Sequence, residues 1–153
     1  RSFRCLSGRG SARHLLRVRA VRGTHALATG RCPGLSLFAF ESDGTGSWQR
    51  ELGAASAAVA LTEAGEVYLA GGFRDTLVVG DQTLVSAGGL DAFIARLQGD
   101  GTPVWALRFG DSWDQSLGGI ALGTDLFVAG SALPPPDPAT FDLETVTRIA
   151  VAN

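Results

Sequence analysis

The sequence contains no lysine and no methionine, and both of its histidines, His14 and His25, fall in the first 25 of 153 residues. Ser–His and Ser–Lys nucleophile pairs are therefore excluded from everything after His25. No apolar run approaches the ~18 residues of a membrane-spanning helix. No charged start, apolar stretch and small-residue cleavage site combine into a visible signal peptide. The two cysteines, Cys5 and Cys32, are widely spaced and stand at no zinc-site distance from the histidines, which argues against a metal site. Cys5 and Cys32 are a candidate disulfide in an oxidising compartment, and two unpaired thiols fit the sequence equally well. No D-x-D-x-D run with a downstream Glu forms a calcium loop. A charged fraction of 18% with 45% hydrophobic residues excludes a solvated, disordered segment. A chain that starts at Arg1 and has no Met is expected to be a mature form or a piece of something longer.

Acids are also missing from the first forty residues, where eight of the 13 arginines stand before Glu41 supplies the first carboxylate. A basic arm of this kind can bind nucleic acid. However, no aromatic residue lies among these arginines after Phe3, so a base-stacking platform is absent. Leu15, Leu16, Val18, Ala20 and Val21 interleave with the arginines as in a half-buried strand. A segment solvated or docked on the acidic body is the better reading, with no nucleic-acid partner.

Glycine is abundant, at about one residue in seven against a usual ~7%, which points to many turns and short strands. Self-similarity organises them. At an offset of 57, Leu37 meets Ile94, Phe40 meets Leu97, Asp43-Gly44-Thr45 meets Asp100-Gly101-Thr102, and Trp48 meets Trp105. Tyr68-Leu69-Ala70-Gly71 then answers Phe127-Val128-Ala129-Gly130, and a partial upstream copy carries Leu27-Ala28-Thr29-Gly30. Each full copy reads as four strands, the second as about 91–98, 103–109, 119–122 and 125–131, with Gly110 to Gly119 as a polar connection. A short extra hairpin, Thr76–Val79 and Gln82–Val85, turns at Gly80-Asp81. Residues 54–64 are Ala-rich and favour a helix by propensity, but the matching segment 117–122 holds two glycines, so both are expected to be strand. The divisions are a basic segment 1–19, a partial hairpin 20–34, a first full repeat with its hairpin linker 35–90, a second repeat 91–132, and a proline-rich connector with a terminal strand 133–153.

Four short strands per ~40–57 residues with a recurrent Trp fit the blade of a β-propeller. Asp91-Ala92-Phe93, Asp100-Gly101, Trp105 to Gly110 and Ile120 to Gly130 resemble the bacterial β-propeller repeat called the SBBP repeat, as do Glu66 to Phe73 and Thr83 to Gly89. The likeness covers about 35–132, with Gly34-Leu35-Ser36 departing from the usual Asp-Ala-Phe. The fold class implied is all-β, with tandem four-stranded antiparallel blades. At a spacing of 57 the chain holds about 2.7 repeats, against 4–8 blades for a closed ring. Closure then needs further blades or self-association. The resemblance further implies an exported or surface protein of bacteria, placed outside the cell or on its surface, with no shared catalytic residues and no cofactor to carry over.

Among candidate sites, Asp111 and Asp114 are the nearest approach to a paired carboxylate, though a single copy carries them and a solvated turn is the simpler reading. Trp48 and Trp105 read as residues buried between neighbouring blades. Trp113 stands in the polar stretch 110–118 with no counterpart upstream, which makes it, with Asp111 and Asp114, the candidate binding site. The function expected is a non-catalytic interaction module whose partner is a protein or a surface glycan. The alternative is the propeller part of a hydrolase or quinoprotein-like enzyme whose catalytic residues lie outside the chain.

Overall fold

The structure, a computed structural model, describes residues 15–20, 26–32, 34–41 and 43–132, with side chains described for 35–41, 43–54 and 57–132. Cys5 and the side chain of Cys32, the proline-rich connector and the strand expected at 145–151 lie outside what the structure describes, as does most of the basic segment. Every regular element among the described residues is a β-strand. No helix among them is long and apolar enough to cross a membrane.

Two four-stranded sheets carry the fold. The first joins β1 (Leu15–Ala20), β2 (Ala26–Cys32), β3 (Gly34–Phe40) and β4 (Gly46–Leu52) in chain order. The second takes β5 (Ala54–Leu61), β6 (Val67–Phe73), β9 (Asp91–Leu97) and β10 (Pro103–Phe109) in the order β10-β9-β6-β5. Between β6 and β9 the chain forms the hairpin β7 (Thr76–Val79) and β8 (Gln82–Val85), at the bounds the sequence pattern predicts. A final hairpin, β11 (Gln115–Leu122) and β12 (Leu126–Ala132), stands as a two-stranded sheet. All the pairings are antiparallel. The Ala-rich stretch is strand β5, so tertiary pairing overrides its helix propensity.

The sequence repeat is a repeat of register. In β3–β4, Ala39 faces Trp48 and Phe40 faces Gly46, with Ser47 bulged between them. In β9–β10, Arg96 faces Trp105 and Leu97 faces Pro103, with Val104 bulged. Both hairpins therefore superpose at the offset of 57, bulge included. The inner hairpins carry Gly30, Gly71 and Gly130 alike as the fifth residue of the second strand, but bulge at different places, between Leu16 and Arg19, between Ala54 and Ser56, and between Leu117 and Gly119.

The sheets nevertheless fall half a repeat out of phase with the sequence units. The sheet spanning 54–109 combines the closing hairpin of one copy, β5–β6, with the opening hairpin of the next, β9–β10. β6 pairs with β9 from Val67 opposite Leu97 to Phe73 opposite Asp91. Strand order depends on contacts remote in sequence, so the repeat unit does not reveal it.

Burial follows from this stacking. Leu35, Leu37 and Leu52 of the first sheet pack with Val67, Leu69, Phe73, Phe93, Ala95 and Leu97 of the second, and Leu77 and Val79 of β7 join the same core. The opposite face of β6 meets β11, where Gly72 lies against Ser116. Both faces of β6 are thus covered and every one of its residues is buried, so it reads as a continuous apolar run without alternation. Hairpin β7–β8 covers the outer edge of β10, with Gln82 Oε1 accepting from the Ala106 amide. This limits edge-to-edge pairing there.

Candidate functional site

Equivalent turns place the two sheets on each other. In the β9–β10 turn, the Gln98 amide donates to Thr102 O, the Gly101 amide donates to Gln98 O, and Asp100 Oδ1 accepts from the Thr102 amide at 2.8 Å. The β3–β4 turn repeats all three bonds with Glu41, Gly44, Thr45 and Asp43. Gly44 and Gly101 both take a positive φ, 84° and 81°, which a Cβ would disfavour. The amide bonds hold the Asp43 and Asp100 carboxyls below the ordinary aspartate range, with the Arg50 charge adding to the effect at Asp100. The turns differ in what covers them. Trp48 of β4 lies on Gly101 and donates from Nε1 to Gly99 O at 2.8 Å, whereas no described residue lies within 4 Å of a Cβ built on Gly44. Trp48 is thus half-buried at a junction between sheets. Trp105 packs edge-on against the buried Tyr68, centroids 6.1 Å apart. Arg96, between them in the strand order, lies 6.0 Å over the Tyr68 ring and pairs with Glu66.

The sequence-derived candidates meet in a tight loop. It is shorter than the sequence suggests, because β11 begins at Gln115, where the backbone amide donates to Leu90 O, and the loop is confined to residues 110–114. Asp111 Oδ1 accepts from the Trp113 amide at 2.8 Å and from Gln115 Nε2 at 2.7 Å. Asp114 Oδ1 accepts from the Leu90 amide at 2.7 Å, and its Oδ2 pairs with Arg74 at 3.2 Å. The Leu90 amide, helped by Arg74, keeps the Asp114 carboxyl below the ordinary range. Both carboxylates thus organise the loop and its seat. Trp113 is 36% exposed, beside the exposed Asp111 and Ser112, and is the aromatic side chain of the loop. The loop presses on Gly88 and Gly89, where a Cβ would come within 2.6 Å of Ser112 backbone and 2.0 Å of Asp114 Oδ1.

Below the loop lies an ion pair that the sequence pattern does not single out. Asp91 is fully buried, its Oδ2 accepting from Arg108 Nη1 at 2.6 Å and from the Ala87 amide at 3.0 Å. Arg108 Nη1 also donates to Gly110 O at 3.0 Å, which ties the pair to the start of the loop. Asp91 appears in sequence only as the first residue of a repeat motif. Its repeat counterpart is Gly34 and that of Arg108 is Glu51, so the charge pair leaves no repeating signal. Asp91 at the head of an apolar strand is the clue that was present.

Chemically, the loop offers an aromatic face on a support of charge-assisted hydrogen bonds. Among the described residues no group of three or more His, Cys, Asp or Glu side chains is placed to hold a metal ion. No family model matches the chain, and no curated protein matches it.

Proposed function

We propose that the chain is a non-catalytic β-propeller repeat module of the SBBP type, serving as an interaction scaffold on which the 110–114 loop displays Trp113 to a protein or a surface glycan. The observation that carries the propeller reading is the recurrence of hairpin register and bulge at an offset of 57, with Trp48 seated on the next sheet's turn. Radial stacking of small antiparallel sheets through such a contact is what a propeller requires. The small residues of β5 suit a crowded inner strand of that arrangement. The binding role rests on Trp113: its ring is exposed while its loop is held by Asp111, Asp114 and Gln115, so an aromatic contact is presented at low ordering cost. A bacterial origin and a place outside the cell or on its surface belong to the same proposal.

The test is a glycan array and a surface-protein pulldown with the full chain, alongside Trp113→Ala. Retained folding with affinity lowered about tenfold is expected, equivalent to losing one aromatic contact of about 1.4 kcal/mol. Unchanged affinity for a captured ligand removes Trp113 from the site. Turnover of a hydrolase or redox substrate by the chain alone defeats the non-catalytic reading.

A further inference from the structure

We infer that the outer edge of β12, together with the ring of Trp105, is a docking site for a β-hairpin of the repeat's own chemistry: an apolar strand, an Asp-Gly-Thr turn and a returning strand. The inference rests on the repeat-module reading and names the partner class for a second surface, the edge of β12.

Three inner hairpins are antiparallel, with Gly30, Gly71 and Gly130 each the fifth residue of the second strand. β1–β2 receives β3–β4 along β2, and β5–β6 receives β9–β10 along β6. Among the described residues, no strand lies along the outer edge of β12. Exposure records the difference. Tyr68 of β6 is 1% exposed, and its counterpart Phe127 of β12 is 61% exposed. β6 is buried at each position, while no residue of β12 is. A strand edge left unpaired among the described residues, beside an exposed aromatic, is a template for strand addition.

Trp105 supplies the second half of the site. It occupies the position of Trp48 at the offset of 57, in the same register and beside the same bulge. Trp48 is covered by the turn of the outer hairpin belonging to the next sheet. β11 already stacks on β5, β6 and β9, continuing the series of sheets by one hairpin. A hairpin laid along β12 in the register that β9 takes along β6 would bring its Asp-Gly-Thr turn to Trp105, as β9–β10 brings residues 98–102 to Trp48. Backbone pairing supplies affinity in such a complex, and the apolar strand and the turn supply selectivity.

The full chain is titrated with a synthetic peptide of residues 34–52, which is this chain's own outer hairpin, and followed by calorimetry and amide hydrogen exchange. Saturable binding with new protection at residues 126–132 is expected. Phe127→Asp, at an exposed position that leaves folding intact, should weaken it at least about tenfold, as should Trp105→Ala. A peptide of the same residues in scrambled order should not bind. Absence of new protection at 126–132, or undiminished affinity in Phe127→Asp, overturns the inference. Protection there that rises with protein concentration alone also overturns it, in favour of self-association. Exchange in the free chain separates the two levels: protected β6 and β9 with no peptide effect sink the docking site alone, and unprotected β6 and β9 sink the sheet reading with it.

Discussion

Gly44 and Gly101 form a natural experiment on the junction between the sheets. Both occupy the same turn at positive φ, and Trp48 covers Gly101 alone. Alanine at a left-handed position costs about 1–2 kcal/mol. Reduced freedom of the unfolded chain returns about 0.4–1 kcal/mol. Gly44→Ala should therefore destabilise by about 1 kcal/mol. At Gly101 the new Cβ would lie 2.9 Å from Trp48 ring atoms, so the indole must lift. Its bond to Gly99 O is then lost, worth about 1 kcal/mol, along with part of the ring's burial. Gly101→Ala should accordingly cost about 2–3 kcal/mol. The assay is urea unfolding followed by far-ultraviolet circular dichroism, with midpoints compared at constant slope. In a Trp48→Ala background the two substitutions should agree within about 0.5 kcal/mol. Equal costs in the native background, or an excess that survives removal of Trp48, would refute the junction.

Three further outcomes are expected. Arg108→Ala leaves the buried Asp91 carboxylate without its cation and should cost about 2–3 kcal/mol in urea unfolding, with Asp91→Asn milder because it keeps an acceptor for the Ala87 amide. Gly88→Ala drives a Cβ into the backbone of Ser112 and should cost about 1–3 kcal/mol, with faster amide exchange confined to residues 110–114. Asp43, Asp100 and Asp114 all titrate below the usual aspartate value of 3.8 in the folded chain. Their contribution to stability is complete above that value and is lost as pH falls through the lower folded values, so the melting temperature should drop below about pH 4, and less steeply in Asp100→Asn.

Several features of the fold are legible one residue at a time. The Asp-Gly-Thr turns and the Gly80-Asp81 hairpin follow from local chemistry, and the strand character of the Ala-rich segment follows from the repeat against its local propensity. Trp113 is visible as a lone aromatic in a polar stretch. The start of β11 is not, because Gln115 joins its strand by pairing with Ala132 of β12, and its amide is tied as well to Leu90, twenty-five residues away. Nor are the duties of Asp111 and Asp114, since a carboxylate in a loop looks alike in sequence whether it faces water or holds a backbone amide.

The sequence by itself determined the turns, the hairpins and their order, because these depend on backbone preferences and on contacts a few residues apart. Only the tertiary structure decided which hairpins share a sheet, which Trp is covered, and that Asp91 is buried against Arg108. Those outcomes join residues from different copies of a repeat. A repeated sequence offers each strand several equivalent partners, and the packing of one sheet on the next selects among them.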